Sequence, residues 1–137
     1  MKWLSLLIFL FGMTGSSAQH KISSPDGLIA FTFTYLNNRP NYSITFRGKS
    51  VVASGDIGLS FNQRDFTLNS VASRPGYRRG IEEYELVVGK VKSVKDAYNE
   101  VIIPLRDQLR QARVNMVIRI FNGGLGFRYE FVSDHAK

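Results

Sequence analysis

The 137-residue sequence contains no cysteine, one tryptophan and two histidines, and these scarcities exclude several classes of protein. Without cysteine there is no disulfide framework, so the fold depends on an apolar core. His20 and His135 stand near opposite ends of the chain, and neither has a neighbour at metal-ligand spacing. We therefore predict no metal site and no other cofactor within this chain.

Motifs typical of catalytic sites are also missing. The Gly123–Gly124 pair is not followed by a helical pattern, as a phosphate-binding loop requires. No serine stands in a nucleophile elbow. The 11 acidic residues would suffice for a pair of hydrolytic carboxylates, but their spacing does not single out any two of them. We predict no catalytic residue here.

The chain has one markedly apolar run, at its N-terminus. Trp3–Phe11 follows the basic Lys2 and precedes small residues that include Ser16 and Ala18. This order is typical of a cleaved signal peptide, and the run is shorter than the ~20 residues of a membrane span. We expect residues 1–18 to be a signal peptide and residues 19–137 to form one exported domain, in the periplasm or outside the cell. The alternative is a buried N-terminal helix.

The net charge of +7 comes from basic residues that are spread along the chain. Arg78 and Arg79 are followed closely by Glu82, Glu83 and Glu85. A nucleic-acid-binding face would concentrate basic residues on one surface. The pattern is instead typical of a solvated surface, and we expect neither nucleic acid nor a membrane span among the interactions of this chain.

Short alternations of apolar and polar residues recur with turn residues between them. They predict strands over Leu28–Leu36, Tyr42–Phe46 and Glu83–Val88, and a loop over Ser73–Gly80. On the first of these strands, four apolar residues share one face: Ile29, Phe31, Phe33 and Tyr35. No alternation of strands with helices is visible. The sequence predicts an all-β fold, either an antiparallel β-sandwich or a barrel.

The run Asn122-Gly123-Gly124 separates two alternating segments and predicts a β-hairpin. If its last two residues formed the loop, Arg119 would face Arg128, and facing like charges destabilise a strand pair. If its first two residues form the loop, Arg119 faces Gly126. We predict the second register, with a type I′ turn in which both loop residues have positive φ.

The segment Pro104–Arg113 is ambiguous. Leu105, Leu109 and Ala112 fall at helical spacing, and proline suits a first helical position. The alternative is a strand over Glu100–Arg106 that pairs with the first strand of the hairpin, because the preceding residues are β-branched. We favour the strand.

Two groups of polar residues remain as candidates for a binding site. Tyr98, Asn99 and Glu100 offer an aromatic face, an amide and a carboxylate, which suit the hydroxyl groups of a sugar, and Arg128 lies on the hairpin. The alternative is structural: Tyr98 packs, Asn99 bonds to the backbone and Glu100 pairs with an arginine. We take these four as candidate substrate-binding residues.

Several of these segments together resemble a known family. Lys95–Glu100 and Ile118–Phe131, in this order and joined by an apolar strand, resemble the N-terminal domain of glycoside hydrolase family 97. Ser23–Gly27 is similar to the entry of that domain's first strand, and Tyr42–Leu59 is similar to its next segment. The similarity covers residues 23–132. At Gly123 the family commonly has an acidic residue.

The resemblance implies an antiparallel β-sandwich of the super-sandwich type. Enzymes of this family are exported α-glucosidases and α-galactosidases, in which the sandwich supports a catalytic barrel that acts on α-linked oligosaccharides with the help of Ca²⁺. A barrel of this kind needs ~250 residues, so the chain lacks it. We therefore expect an incomplete, inactive N-terminal portion that meets the oligosaccharide only through the missing barrel. One alternative is a stand-alone secreted carbohydrate-binding sandwich, and another is a small barrel with an apolar ligand.

Overall fold

The computed structural model describes residues 19–132 except residues 38, 62–63, 67, 72, 88–92, 108 and 110. Residues 1–18, for which a signal peptide is predicted, lie outside the described part. The first sheet has four antiparallel strands in sequential order: β1 (His20–Ser23), β2 (Ile29–Leu36), β3 (Arg39–Phe46) and β4 (Lys49–Asp56). Two short strands then form a separate hairpin: β5 (Leu59–Phe61) and β6 (Arg64–Phe66).

The second sheet is built around one long strand, which pairs on one side with the C-terminal hairpin. Its members are β7 (Leu68–Val71), β8 (Gly76–Glu85), β9 (Ser93–Asp107), β10 (Ala112–Phe121) and β11 (Gly124–Phe131). The spatial order is β11-β10-β9, and both β7 and β8 pair with the remaining edge of β9, at different ends of it. All pairs are antiparallel, and the described residues do not close into a barrel.

The core lies between the inner faces of the two sheets. Alternate residues of β2, β9 and β10 are fully buried there: Phe31, Phe33, Val101, Ile103, Leu105, Val114, Met116, Ile118 and Ile120. Strand residues alternate between the two faces of a sheet, so one set of residues fills the core while its neighbours face outward. The predicted all-β sandwich is confirmed, and so is the predicted inner face of β2.

Pro104 lies inside β9, where proline is normally excluded because it donates no hydrogen bond. It falls between Ile102, the last residue that pairs with β8, and Leu105, which pairs with β7. The unpaired stretch at this edge therefore accommodates it. The favoured strand over Glu100–Arg106 is confirmed, and the helical alternative is wrong.

The register of the β10–β11 hairpin is confirmed, because Arg119 faces Gly126 and Phe121 faces Gly124. The predicted type I′ turn is wrong, since neither Asn122 nor Gly123 has a positive φ. The side chain of Asn122 is held instead by a tertiary contact, in which Asn122 Oδ1 accepts a hydrogen bond from the backbone N–H of Asp26 at 3.0 Å.

Both residues have positive φ values in the two-residue hairpin loop between β3 and β4. Arg47 has φ 50° and Gly48 has φ 75°, which is the type I′ pattern. Phe46 faces Lys49 across this loop. The Arg47 guanidinium carbon lies 5.2 Å from the centre of the Phe46 ring, a cation–π contact beside a backbone that non-glycine residues seldom adopt.

The predicted loop over Ser73–Gly80 is wrong in its second half, because Gly76 to Gly80 belong to β8. Its glycine and arginine residues are typical of a loop, so the sequence did not indicate a strand. The strand is stabilised by ten consecutive pairs with β9 rather than by an alternation of apolar residues. Within the described residues there is no helix of the length and hydropathy needed to cross a membrane.

Candidate functional site

The structure places the four candidate residues on two different faces of the second sheet. Tyr98 and Glu100 point away from the core, as does Arg128 on the edge strand β11, whereas Asn99 lies between them in sequence and points inward. Successive residues of a strand face opposite sides, so the side chain of Asn99 points away from those of Tyr98 and Glu100. Their role in substrate binding stays a prediction.

Glu100 is a fully buried carboxylate, with 0% of its side chain exposed. Its cross-strand neighbours are Arg78 on β8 and Arg119 on β10. One carboxylate oxygen accepts a hydrogen bond from Arg78 Nε, and the other accepts bonds from Arg119 Nε at 2.9 Å and Nη2 at 2.8 Å. Burial alone raises the pKa of Glu100, but the hydrogen bonds from the two arginines outweigh it and hold the pKa below its usual value.

Arg119 extends this group of charges across the outer face. Its Nη1 donates to Glu82 on β8, and its guanidinium carbon lies 4.1 Å from the centre of the Tyr98 ring. We call Arg78, Glu82, Glu100 and Arg119 the outer ion cluster. Two arginines and two glutamates balance in charge, so the cluster holds β8, β9 and β10 together without a net charge.

Tyr98 is packed rather than open. Its ring lies against Gly80 on β8, where a Cβ would come within 2.5 Å of the phenol carbon, and the Phe121 ring lies 5.5 Å away. Arg119 covers one face of the ring. A sugar would have to displace this guanidinium before it could stack on that face of Tyr98.

Asn99 joins the two sheets. Its side-chain Nδ2 donates a 2.7 Å hydrogen bond to the backbone carbonyl of Ser23 on β1. The bond ties β1, an edge strand of the first sheet, to the central strand of the second sheet. Asn99 therefore has a clear structural function at the edge of the sandwich.

Arg128 pairs within its own strand, on the solvent side of β11. Its Nε and Nη2 lie 2.8 Å and 2.6 Å from Glu130 Oε1. Both side chains are about half exposed. Exposed pairs of this kind contribute about 1 kcal/mol or less to stability, so the structure alone does not require Arg128 at this place.

Two open clefts flank β8. One, of about 820 Å³, lies towards the first sheet and is lined by Ile22 and by β8 residues that include Tyr77 and Ile81. The three neighbouring candidate residues also contribute to its lining: Tyr98, Asn99 and Glu100. The other, of about 580 Å³, lies on the outer side, where it is lined by residues of β8 and β9 and by the tip of the β10–β11 hairpin: Glu82, Tyr84, Asp96, Phe121, Gly124 and Gly126. In this second cleft the Tyr84 hydroxyl donates to Asp96 Oδ2 at 3.0 Å, and this bond raises the pKa of Tyr84.

The described residues do not fit a Ca²⁺ ion, because no three Asp, Glu or His side chains among them converge on one point. Calcium prefers six to eight oxygen ligands, most of them carboxylates and carbonyls. The carboxylates of the outer ion cluster already bind arginines. No step of a reaction is therefore assigned to a metal in this part of the chain.

The sequence did not reveal the outer ion cluster, in which Arg78 and Arg119 bind Glu100 and Glu82 binds Arg119. Arg78, Glu82 and Arg119 lie 22, 18 and 19 residues from Glu100 along the chain, and only the strand pairing brings them together. One signal was present, since Arg119 faces a glycine in the predicted hairpin register and its side chain is free to reach in the opposite direction, towards β9.

Comparison with known families supports the resemblance seen in the sequence. The profile of the family described as "Glycosyl-hydrolase 97 N-terminal" matches residues 22–137. The chain belongs to this family. The match covers all eleven strands of the glycosyl-hydrolase 97 N-terminal domain described above except the first two residues of β1.

Solved structures share the fold of this family 97 domain. A glycoside hydrolase family 97 enzyme from Pseudoalteromonas sp., solved with panose and with acarbose, is similar at 27% identity and a TM-score of 0.72. The similarity covers 85% of this chain and 18% of that enzyme. A β-arabinopyranosidase has the same fold, with 22% identity and a TM-score of 0.74 over 86% of this chain and 19% of the other. The chain thus spans less than a fifth of the length of these proteins.

Proposed function

We propose that this chain is the non-catalytic N-terminal β-sandwich portion of an exported family 97 α-glycosidase, in which it supports the catalytic barrel and its carbohydrate site. The observation that carries the proposal is the asymmetry of the match, which includes 85% of this chain but 18% of the Pseudoalteromonas enzyme. A segment of that size is long enough for a supporting domain. The remaining four fifths of the Pseudoalteromonas enzyme provide the length that a catalytic barrel needs.

The state of the carboxylates supports a non-catalytic role. A retaining or inverting glycosidase needs two carboxyl groups that face the glycosidic bond from opposite sides. Here Glu100 and Glu82 bind arginines, and Glu130 binds Arg128. Asp96 accepts a hydrogen bond from the Tyr84 hydroxyl. These groups stabilise the sheet.

The proposed substrate is an α-linked oligosaccharide, bound by the rest of the enzyme with Ca²⁺ at the barrel. The support is indirect: the Pseudoalteromonas relative was solved with panose and with acarbose. Export to the periplasm or beyond rests on the N-terminal sequence pattern. Both statements concern the whole enzyme rather than the strands described here.

A second candidate is a stand-alone carbohydrate-binding sandwich, and the outer cleft is the observation that favours it. Tyr84 is 44% exposed there, with its hydroxyl fixed by Asp96, and Glu82 lies beside it. An aromatic ring next to hydrogen-bond acceptors suits the apolar face and the hydroxyls of a sugar.

Hydrolysis of nitrophenyl α-glucoside and α-galactoside by the purified full chain tests the first proposal, with the Pseudoalteromonas enzyme as positive control. We expect no turnover above buffer. Turnover that co-elutes with the folded chain and persists through two further purification steps would refute the non-catalytic role.

Calorimetric titration of the same preparation with panose separates the two candidates. A flat titration is expected for the supporting domain. Heat that disappears in Tyr84→Ala, but persists in Tyr77→Ala on the opposite face of β8, would favour the carbohydrate-binding module instead.

A further inference from the structure

Strand β8 is a long and regular edge. Its ten residues, Gly76 to Glu85, form ten consecutive pairs with β9. Among the described residues no strand pairs with its other edge. An edge of this length presents a row of backbone N–H and C=O groups that accept a further strand.

The β4 edge differs from β8 in a way that matters for pairing. The β3–β4 ladder contains register shifts between Tyr42 and Thr45, and irregularities of this kind protect an edge from pairing. The β8–β9 ladder has none. The side chains of Tyr77 and Ile81 on the inner face of β8 are 56% and 66% exposed, so apolar surface accompanies the open edge.

The charges of β8 are arranged in two halves of opposite sign. Arg78 and Arg79 stand in the first half, and Glu82, Glu83 and Glu85 stand in the second. An antiparallel copy of the same strand brings the first half of one against the second half of the other. Facing opposite charges stabilise a strand pair and facing like charges destabilise it.

Symmetry limits the registers of such a pair. A two-fold axis perpendicular to the sheet keeps each side chain on its own face. The axis then passes between two copies of the same residue, one from each chain, which face each other. An axis at a given residue means this arrangement. An axis at Arg79 or at Glu82 would set like charges against each other. An axis at Gly80 would pair Arg78 with a second Glu82, although both already bind within the outer ion cluster.

An axis at Ile81 leaves no like charges face to face. Ile81 then faces the partner's Ile81, and Arg79 faces the partner's Glu83. Arg79 has no ion pair among the described residues, whereas Glu83 has only an exposed contact of 2.6 Å with Lys95. On the outer face Arg78 faces the partner's Tyr84, which carries no charge, so Arg78 can keep its bond to Glu100.

We propose that two copies of this chain pair antiparallel through the open edge of β8, with Ile81 on the two-fold axis, to form one continuous sheet across both protomers. The proposal does not depend on the function of the enzyme.

The first sheet does not pair with this edge. Its edge strand β1 contacts β9 through the bond from Asn99 to Ser23, and among the described residues no strand of the first sheet pairs with β8. Because a single strand edge buries less than the ~1,200 Å² of a stable interface, we expect a weak dimer that dissociates on dilution.

Sedimentation velocity of the full chain over a concentration series from about 1 to 500 µM tests the pairing, since weak dimers have dissociation constants in this range. We expect a monomer–dimer equilibrium in the wild type. Arg79→Glu and Glu83→Arg each place like charges at two symmetry-related positions, and each should weaken the dimer at least about tenfold. Lys49→Glu reverses a charge on the β4 edge and should leave the dimer unchanged.

Mixing the two charge variants provides the decisive measurement. In a mixed pair, the glutamate at position 79 of one chain faces the arginine at position 83 of the other, and the native Glu83 faces the native Arg79. A 1:1 mixture should therefore form a heterodimer although each variant alone is monomeric. Misfolding of either variant would not be rescued in this way.

Three outcomes would overturn the proposal. The first is a wild-type chain that remains monomeric at every concentration. The second is a dimer that both variants retain, which would place the contact at another edge. The third is a mixture that stays monomeric while circular dichroism shows both variants folded.

Discussion

The two faces of strand β9 are stabilised by opposite means. On the inner face, Val101, Ile103 and Leu105 are buried among apolar side chains of both sheets. On the outer face, Glu100 is buried as completely, but its neighbours are two arginines. One strand thus places apolar groups and a charge at equal depth, a few ångströms apart.

The difference shows that burial alone does not indicate which interactions stabilise a residue in its place. Apolar burial is non-directional and responds to the volume of a side chain. A buried carboxylate is stable only while its charge is paired and its oxygens are hydrogen-bonded. Substitutions on the inner face should therefore act through lost contacts, whereas those on the outer face should act through charge and pH.

The largest effect is expected on the inner face. Ile103→Ala removes a side chain with 0% exposure and leaves a cavity between the sheets, which should lower the free energy of unfolding by about 3 kcal/mol. Ile102→Ala, one residue away on the outer face and only partly buried, should cost about 1 kcal/mol. Urea unfolding of both variants measures the difference. Equal losses would contradict the assignment of the core to the inner face.

A smaller effect is expected from Glu100→Gln. The substitution keeps the shape but removes the charge that two guanidinium groups share, and Arg119 is only 21% exposed. Arg78 is 56% exposed, so water compensates part of its loss. The free energy of unfolding should fall by about 2 kcal/mol at neutral pH.

The pH dependence distinguishes this loss from a packing defect. The pKa of Glu100 in the folded state lies below its ordinary value of 4.5. The carboxylate therefore contributes stability that is complete above the ordinary value and is lost as the pH falls through the lower folded value. Wild type and Glu100→Gln should converge in stability towards low pH, measured by urea unfolding at a series of pH values. Parallel curves would show that the charge of Glu100 is not what stabilises the fold.

The smallest effect concerns two glycines of the outer face. In Gly80→Ala the new Cβ meets the Tyr98 ring, and moving the ring breaks its contact with Arg119. We expect a loss of about 1–2 kcal/mol. Gly126→Ala adds a Cβ with no atom within 4 Å and should be neutral or stabilising by about 0.5 kcal/mol. Thermal unfolding of the two variants measures the difference. Equal melting temperatures would show that the Tyr98 ring can move aside without loss of stability.

Much of the fold followed from local patterns in the sequence. The hairpin register was predictable because a shift by one residue would set Arg119 against Arg128, and the alternation in β2 assigned its inner face. The turn type was not predictable, because Asn122 is fixed by a contact to Asp26 in a distant turn. The start of β8 was missed because its pairing with β9, rather than its composition, makes Gly76–Gly80 a strand.

The candidate site was harder to predict than the fold. Tyr98, Asn99 and Glu100 are adjacent in sequence, which favoured a common site, yet the strand separates Asn99 from the other two. The period of two residues in a strand was sufficient to foresee that separation once β9 was recognised. Of the two partners of Glu100, Arg119 lies on the strand that was predicted to pair with β9. Arg78 was not foreseeable, because it lies in the first half of β8, which the sequence predicted as a loop.

The hydrogen bond between Asp26 and Asn122 has a consequence for how the chain is made. It joins residues 96 positions apart, and the β2 core residues Phe31 and Phe33 are likewise covered by β9 and β10 from far along the chain. Synthesis proceeds from the N-terminus, so the first sheet emerges before its cover exists. Its apolar face stays open to solvent, or to a chaperone, until the β10–β11 hairpin arrives and joins segments 96 residues apart.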